Sequence, residues 1–505
     1  MIGLKRFIKF HIHFFLLSFL PSILFAQNSF YNGKIFDFET KQPLPFANIF
    51  IQGKSYGTVS NSQGEFILDI EIVNNSDTIV FTYMGYENFK VPIKDIKEFE
   101  SVFLRKSFLK LPNVSIYSQN LSIKEIIKLI EKNYEKNYPK TDFKSKIFFH
   151  NYLNISFSEE NKLKLKKSNF KMLNKELVSD VFKMIPKEII QYQDAVINTI
   201  NYNDKKKIQP VEAISLEEGS MKVLEKKIDE KLTDLYSDFD ETKKNDKVYY
   251  KVNSGLFFNV DIDDEEPDSV EKLHVNDSLN YYVKTRYIKY GINNLINQHT
   301  TIKSKNWDFI TNPNKYQYEM TLTVFDDELV YEVNFKPEKN GLYQGVMYVN
   351  TNNYAILQLD YEYAPGNSNQ NIQLLGIGHS MKNRGARVIF VKGNDGYYLK
   401  YIKAKKLQFA SLNRNISLLK KEKRILFDKV LNKIKLGMEI ALDIYNNQEI
   451  LVLENEEIIE ESYNRFKEPK YMKFKKEFAY TPEMWENRTV IVPDKELKKY
   501  QRKIN

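Results

Sequence analysis

The chain contains no cysteine, and only two of its 505 residues are tryptophan. The absence of cysteine excludes disulfide bonds, thiolate metal ligands, a cysteine nucleophile and the lipid-modified N-terminal cysteine of bacterial lipoproteins. Stability must therefore come from hydrophobic cores. With 42% hydrophobic and 14% aromatic residues, a chain of this length can bury at least two cores.

Histidine is also scarce. None of the histidines begins a His-Glu-x-x-His motif, so the sequence offers no zinc-protease site. A lone histidine on a predicted strand, such as His150, is more often a packed side chain than a ligand. Gly53-Lys54-Ser55 lacks the earlier glycine of a phosphate-binding loop. We therefore expect no catalytic, metal or cofactor-binding residues and no cofactor. The six histidines are His11, His13, His150, His274, His299 and His379.

The N-terminus has the pattern of a secretory signal peptide. Three basic residues, Lys5, Arg6 and Lys9, precede an apolar run over residues 10–25, and Ala26 follows it as a small residue suited to a cleavage site. The pattern predicts a signal peptide over residues 1–26, Sec-dependent export, and a periplasmic or outer-membrane-associated location; a retained membrane anchor is the alternative. Cleavage would remove three of the 75 basic residues and none of the 66 acidic ones. The remaining chain would be mildly basic, which is not typical of nucleic-acid binding.

Residues 28–106 show short alternating strands separated by turn residues. Gly53, Gly57 and the turn Asn61-Ser62-Gln63-Gly64 interrupt the strands, and Phe66, Leu68 and Ile70 alternate with polar positions. About seven strands at this spacing predict a β-sandwich. Six of these strands have definite bounds in the pattern, namely 29–36, 46–51, 65–70, 77–84, 87–93 and 102–104.

Five motifs occur here in one order: Gly33-Lys34-Ile35, Pro43-Leu44-Pro45-Phe46-Ala47-Asn48-Ile49, Gly57-Thr58-Val59-Ser60-Asn61, Gly64-Glu65-Phe66 and Tyr83-Met84-Gly85-Tyr86. Residues 28–106 thereby resemble the carboxypeptidase regulatory-like domain. The resemblance implies a transthyretin-like β-sandwich of the kind found in Bacteroidota envelope proteins. It implies no active site, because the catalytic zinc of carboxypeptidases lies in a separate domain.

One motif in this region matches a sequence pattern of hydrolases. Gly53-Lys54-Ser55-Tyr56-Gly57 satisfies the Gly-x-Ser-x-Gly pattern of serine hydrolases. A nucleophile elbow needs a strand that leads into a helix, whereas another strand and a tight turn follow here. We therefore interpret the two glycines as turn residues and do not expect Ser55 to be catalytic.

Residues 107–140 are predicted to form a linker and a helix. Ser122 and Glu125 have the spacing of a capping box, and Ile123, Ile126 and Ile130 share one helical face before Pro139 ends the helix. The helix is expected to pack on the following sheet; a partner-binding helix is the alternative.

Residues 141–453 predict an α+β unit whose antiparallel sheet lies mainly within 306–410. From residue 316 onward, apolar and polar positions alternate through several strands. In one of them the residues Ala355, Leu357, Leu359, Tyr361 and Tyr363 should face one side, and Ile356, Gln358, Asp360 and Glu362 the other. The apolar side must be covered by helices or close around a ligand. Residues 345–360 are similar to repeats of the lipoprotein-carrier half-barrel, which would bind an acyl chain or a polypeptide.

Three further segments have weaker patterns. Residues 215–236 favour a helix, and the lysines between 162 and 175 form either a solvated face or a contact with anionic lipid headgroups. The acidic cluster at 261–268 is a solvated loop or, alternatively, a calcium site, although it lacks EF-hand spacing. Residues 454–505 are predicted to be a charged, irregular tail.

These features predict a two-unit envelope protein, namely an all-β sandwich followed by a larger α+β unit with an antiparallel sheet. We expect a non-catalytic binding or assembly role, with an envelope protein, a polysaccharide or a lipid as partner, association with the outer membrane and no nucleic acid. The alternatives are a small outer-membrane β-barrel, a lipid-carrier-like half-barrel, and a hydrolase that uses dispersed carboxylates.

Overall fold

A computed structural model of the chain describes residues 30–98, 100–107, 121–140, 142–170, 173–217, 230, 247–253, 259–261, 280–326, 328–485 and 488–498. The predicted signal peptide at 1–26 lies outside the described residues. The same holds for the acidic cluster except Asp261, and for most of the predicted helix at 215–236.

The N-terminal module is a two-sheet sandwich, as the sequence predicts. One sheet has the order β4-β1-β7, with β1 antiparallel to β4 and parallel to β7, and the other has the order β3-β2-β5-β6. Side chains such as Ile35, Phe66 and Phe81 fill the core between the sheets. The strands are β1 (Phe30–Asp37), β2 (Asn48–Ile51), β3 (Gly57–Val59), β4 (Glu65–Asp69), β5 (Thr78–Thr82), β6 (Phe89–Pro92) and β7 (Ser101–Leu104).

The turn between β3 and β4 depends on two residues. The Asn61 side chain accepts hydrogen bonds from the backbone N–H groups of Gln63 and Glu65, each at 2.9 Å. Gly64 has a φ of +75°, and a Cβ atom there would lie 2.6 Å from the Ile35 carbonyl oxygen. The predicted tight turn at 61–64 is therefore confirmed.

A sixteen-stranded sheet forms most of the second unit. Its spine has the order β14-β23-β11-β10-β8-β22-β21-β20-β18-β17-β16-β15, and β23 runs parallel to β11 while the other described pairs are antiparallel. The strands are β8 (Phe143–Phe157), β9 (Lys162–Ser168), β10 (Glu188–Tyr202), β11 (Lys205–Glu217), β12 (Val248–Asn253), β13 (Asn259–Asp261), β14 (Asn280–Lys284), β15 (Tyr316–Phe325), β16 (Glu328–Pro337), β17 (Tyr343–Asn350), β18 (Ile356–Tyr363), β19 (Asn369–Leu374), β20 (Ile377–Lys392), β21 (Tyr397–Glu422), β22 (Lys429–Glu457) and β23 (Tyr471–Glu477).

Helices cover one face of this sheet and complete the largest core. The first helix has the predicted capping box, in which Ser122 N–H donates to Glu125 Oε2 at 2.7 Å and Glu125 N–H donates to Ser122 Oγ at 3.3 Å. Its buried isoleucines pack with Trp307 and Phe309 against the sheet. The helices are α1 (Ile123–Asn137), α2 (Lys175–Met184), α3 (Thr285–Thr300), α4 (Asp308–Thr311), α5 (Glu460–Arg465) and α6 (Lys495–Lys498).

The predicted alternation on β18 is largely confirmed. Leu359, Tyr361 and Tyr363 lie in the helix-covered core, and Asp360 points to the opposite face. Ile356 was predicted on the polar face, but it is buried in the same core. The pairing register of β17 and β18 shifts between Tyr348 and Val349, which breaks the alternation at this point.

The N-terminal module and the C-terminal segment cover part of the opposite face. A row of apolar side chains on neighbouring strands packs against Val59 of the module and Trp485 of the C-terminal segment. The module and this segment are also joined by a hydrogen bond between the Tyr56 and Thr489 hydroxyl groups at 2.6 Å. The row consists of Val196, Phe148, Leu451, Tyr401 and Ile389.

The strands β21 and β22 form a hairpin that extends beyond this covered part. Their outer halves pair with β12 on one side and with β9 on the other, and β13 pairs with β12. We call this outer region the distal arm and define it as residues 162–168, 247–253, 259–261 and 416–439. The lysine-rich segment after residue 162 thus lies on a strand of the arm.

Two predictions about the second unit need correction. The sheet is not confined mainly to 306–410, because β8, β10, β11, β22 and β23 belong to it. The segment from 454 onward is not irregular in its described part: β22 continues to Glu457, α5 follows, and β23 pairs with β11 and β14. Met472 and Phe474 alternate with exposed lysines and are buried in the largest core, but a pattern of two residues is too short to stand out in the sequence.

Candidate functional site

A row of ionisable side chains crosses six neighbouring strands beside the covered apolar row. Residues in register on neighbouring strands present their side chains on the same face, so they are direct neighbours. The order of charges along the row is negative, positive, negative, positive, positive, negative when the histidine is protonated. The charged row consists of Asp194 on β10, His150 on β8, Glu449 on β22, Lys403 on β21, Arg387 on β20 and Asp360 on β18.

The first pair of the row is nearly buried. His150 Nδ1 lies 2.5 Å from Asp194 Oδ1, and the two side chains are only 15% and 10% exposed. Burial alone would lower the pKa of His150, but the charge and hydrogen bond of Asp194 outweigh it, so this pKa is raised above 6.5. The pair therefore favours a protonated imidazole that is bound to a carboxylate.

Glu449 occupies the centre of the row. Lys403 Nζ lies 2.8 Å from its Oε1 atom, and the Tyr401 hydroxyl donates to its Oε2 atom. Burial alone would raise the pKa of Glu449, but Lys403 and His150 outweigh that effect, so the pKa lies below its ordinary value of 4.5. Glu449 is thus ionised although its side chain is only 6% exposed.

The outer end of the row and the next row beside it also hold ion pairs. Arg387 donates to both carboxylate oxygens of Asp360, from Nε to Oδ1 and from the Nη2 atom to Oδ2 at 3.2 Å. Lys405 Nζ lies 2.7 Å from Glu362 Oε2, and Gly385 stands between them in register. A Cβ atom at Gly385 would lie 2.4 Å from the Tyr361 carbonyl oxygen, so only glycine fits there.

Phe46 is the contribution of the N-terminal module to this site. Its ring stacks on Tyr401 with 5.8 Å between centroids, and the Arg387 guanidinium lies 4.4 Å and Lys403 Nζ 5.3 Å from the ring centroid. The backbone of Phe46 has a φ of +62°, a left-handed conformation that is unfavourable for a bulky residue. The module therefore holds this ring over the charged row at an energetic cost.

Two concavities meet at Phe46. A cavity of about 70 Å³ lies beneath the module and the C-terminal segment, and the His150 and Asp194 side chains line it. An open groove of about 650 Å³ continues over β15 to β22, a size within the usual range of ligand sites. Phe46, Lys403 and Asn447 line both. The remaining polar residues of the groove are Gln317, Glu319, Asn334, Lys336, Gln344, Asp360, Glu362, Arg387, Lys405 and Tyr445.

His150, which the sequence led us to expect as a packed side chain, lies in the charged row, whereas Ser55, His299 and His379 lie elsewhere. The Ser55 hydroxyl donates to the Asn455 carbonyl oxygen at 2.8 Å and so joins the module to β22. His299 is buried, with its Nδ1 atom 2.6 Å from the Tyr361 hydroxyl, and burial lowers its pKa to about 3. His379 lies near Gln408. Within the described ranges, no group of three or more acidic or histidine side chains is arranged to hold a metal ion.

No site residues were expected from the sequence, and the charged row was not predicted. The members of the row lie far apart in the chain and are joined only by strand register, so no local spacing marks them. One signal was available: Glu449 directly precedes the apolar run Ile450-Leu451-Val452-Leu453. A carboxylate beside such a run needs a partner when the strand is buried.

Comparison with known proteins identifies the N-terminal module. Residues 31–122 match the family model of the CarboxypepD_reg-like domain. The N-terminal module is therefore a carboxypeptidase regulatory-like domain, and this domain is followed by a larger, mostly β unit. A domain of this type is a non-catalytic binding or regulatory module.

Whole-chain comparisons are far weaker. A crystal structure of MucB in complex with MucA(peri) shows 4% identity and a TM-score of 0.16, with 63% of this chain and 93% of that chain covered. The complex structure of Pseudomonas aeruginosa MucA/MucB shows 5% identity and the same TM-score, with 64% and 93% covered. No curated protein shows significant similarity to the chain. Among the described residues, no helix is long and apolar enough to cross a membrane.

Proposed function

We propose that this protein is an exported envelope protein with a non-catalytic binding role, and that the groove beside Phe46 holds a hydroxyl-rich polymer such as an envelope polysaccharide. The supporting observation is the lining of the groove. It combines neutral amides, carboxylates and cations of nearly balanced charge with the rings of Phe46 and Tyr445. Sugar hydroxyl groups both donate and accept hydrogen bonds, and sugar rings pack on aromatic faces.

The nearly balanced charge of the groove argues against a lipid chain and against a ligand with many charges of one sign. A lipid chain would leave the ionic side chains of the groove desolvated, and a ligand with many charges of one sign would meet both signs along the charged row. The ion pairs Arg387–Asp360 and Lys405–Glu362 hold their side chains in fixed positions before a ligand arrives. Such preorganisation favours binding because fewer rotamers are lost.

A hydrolase is the second candidate, because His150 and Asp194 form an imidazole–carboxylate pair in a cavity. The cavity of about 70 Å³ has room for only a few water molecules and is too small for a sugar ring. Glu449 and Asp194 are also held in ion pairs with Lys403 and His150. These features support the binding role over catalysis.

The binding proposal can be tested with the Phe46→Ala variant. Polysaccharide fractions from the producing cell are titrated into the purified protein by calorimetry, and we expect the variant to bind about tenfold more weakly because the stacking surface is lost. Phe38→Ala is the matched control, since Phe38 also carries two cations, Arg105 and Lys41, over its ring but lies outside the groove. Equal loss in both variants would argue against the groove as the site.

Two further measurements separate the candidates and test export. Incubation of bound polysaccharide with the protein should release no shorter products, and product formation that is lost in His150→Gln would instead support the hydrolase. Fractionation of the producing cells should recover the protein from the envelope with an N-terminus near Gln27. Recovery from the cytosol with the leader intact would contradict the export proposal.

A further inference from the structure

The tip of the β21–β22 hairpin presents three consecutive apolar residues to solvent. Ile425, Leu426 and Phe427 are 104%, 85% and 86% exposed, and Val430 beside them is 45% exposed. Single exposed apolar residues are ordinary on protein surfaces, but a contiguous apolar patch points to an interaction surface. These side chains lie at the outermost point of the distal arm, where β21 turns into β22.

The distal arm around this tip is strongly basic. Its segments contain thirteen lysine and arginine residues against four aspartate and glutamate residues. The excess of nine equals the formal net charge of the whole chain, +9, so the rest of the protein is nearly neutral. The four lysines of β9 are exposed, and Lys423, Arg424 and Lys429 directly flank the tip. The arm therefore directs a positive potential outward around an apolar point.

The tip is held in place at its base. The Tyr249 hydroxyl donates to Asp428 Oδ2 at 2.5 Å, and Arg424 donates to Glu422 Oε2 from Nε at 3.2 Å and from the Nη2 atom at 3.0 Å. The Lys423 N–H also donates to the Lys247 carbonyl oxygen at 2.7 Å. The two acidic side chains of the turn are thus engaged in local contacts. Ile425, Leu426 and Phe427 therefore lie together on a turn that these hydrogen bonds hold in place.

We infer that the distal arm docks on an anionic lipid bilayer, with Ile425, Leu426 and Phe427 inserted at the headgroup and acyl-chain boundary and the surrounding lysines bound to lipid phosphates. Apolar side chains flanked by basic residues combine the two interactions that hold peripheral proteins at membrane surfaces. The charge of the arm is complementary to anionic headgroups, and an apolar groove on a protein partner would not need basic residues on the four neighbouring strands β9, β22, β21 and β12. This site is separate from the groove beside Phe46.

A second exposed apolar tip provides an internal comparison. Leu374, the last residue of β19, and Leu375, which follows it before β20, are 65% and 54% exposed. Residues 369–381 contain no aspartate, glutamate, lysine or arginine. If apolar exposure alone caused adsorption to lipid, both tips would contribute to lipid binding. If docking also depends on the basic arm, only the tip at Ile425, Leu426 and Phe427 should contribute.

The experiment measures binding of the full chain to sedimented vesicles. Vesicles of phosphatidylethanolamine with about one third phosphatidylglycerol are compared with pure phosphatidylcholine, and binding should be at least about tenfold stronger to the anionic vesicles and weaken with salt. The variant Ile425→Ser/Leu426→Ser/Phe427→Ser should lose at least about tenfold in affinity because its apolar insertion is removed. The control Leu374→Ser/Leu375→Ser should bind like the unmodified chain.

A fluorescent reporter locates the contact directly. In Leu426→Trp the new indole should shift to shorter wavelength with anionic vesicles and be quenched by brominated acyl chains, while Trp307 and Trp485 are buried and give a constant background. Equal binding by the unmodified chain and the tip triple variant, an equal loss in the Leu374/Leu375 control, or no quenching of the reporter would overturn the inference. The Phe46→Ala variant should still bind vesicles, so failure of the polysaccharide proposal is distinguishable from failure of this one.

Discussion

The two ends of the β21–β22 hairpin use charge in opposite ways. At the covered end, Glu449 and Lys403 belong to a row that contains three pairs of opposite charges at short distances, namely Asp194–His150, Glu449–Lys403 and Asp360–Arg387. At the free end, basic residues collect on neighbouring strands around an exposed apolar tip. The same pair of strands therefore fixes a partly buried site at one end and presents a positive surface at the other.

This difference has an energetic consequence. Charges at the covered end have lost most of their water, so each depends on its partner and removal of one partner is strongly destabilising. Charges on the arm keep their water, and their pairing contributes little to stability. Substitutions at the covered end should therefore change the free energy of unfolding, while substitutions on the arm should change only what the surface binds.

The largest expected effect is that of Glu449→Gln. The neutral amide leaves Lys403 and His150 without the carboxylate that lowers the free energy of their charged forms. We expect the free energy of unfolding to fall by about 3 kcal/mol, measured by urea denaturation near pH 7.

The matched control is Glu439→Gln on the same strand in the arm. Glu439 lies 3.9 Å from Lys162, and its side chain is 46% exposed, so we expect a change below about 0.5 kcal/mol. If the two substitutions lowered the free energy of unfolding equally, ion pairs at the covered end would contribute no more to stability than ion pairs on the arm.

The sequence predicted the elements of the fold better than their assembly. The N-terminal sandwich, the helix cap at Ser122 and the alternation of Leu359, Tyr361 and Tyr363 were all predicted because each depends on local patterns of apolar and turn residues. The extent of the sheet was wrong for two reasons. A strand around His150 was predicted, but no local pattern shows that this strand, β8, joins the same sheet as the later strands. β10 was not predicted, because it is covered on both faces for part of its length and its apolar residues do not alternate regularly with polar ones.

The charged row could not be predicted from local sequence patterns, for a related reason. Asp194, His150 and Glu449 come together only because β10, β8 and β22 are neighbours in one register. A shift of one residue in either pairing would move a charged side chain to the other face. Phe46 was part of a recognised family motif, but its position over Arg387 depends on how the module docks on the sheet.

A second prediction concerns Lys400, which is only 4% exposed where the module meets β21 and β22. Its Nζ atom donates to the carbonyl oxygens of Gly57 at 2.9 Å and Val452 at 2.8 Å. Burial lowers the pKa of Lys400 from 10.5 to about 7. Between these two values the unfolded chain holds a proton that the folded protein lacks, so the free energy of unfolding should rise with pH, by up to about 1.4 kcal/mol per pH unit.

Lys400→Met should remove this contribution. The free energy of unfolding is measured by urea denaturation at pH 7.5 and pH 9.5 for both proteins, and we expect a smaller rise in the variant than in the unmodified chain. Lys423→Met, an exposed position on the arm, serves as the control and should keep the original rise. The same rise in the Lys400 variant would mean that Lys400 stays charged at this interface.

The smallest expected effect is that of the tip substitutions on stability. Ile425, Leu426 and Phe427 are so exposed that folding removes little of their surface from water. The variant Ile425→Ser/Leu426→Ser/Phe427→Ser should therefore unfold within about 0.5 kcal/mol of the unmodified chain in urea, although its vesicle binding is lost. A clear loss of stability would mean that the tip packs on other parts of the protein. It would contradict the claim that substitutions at the free end of the hairpin change binding but not the free energy of unfolding.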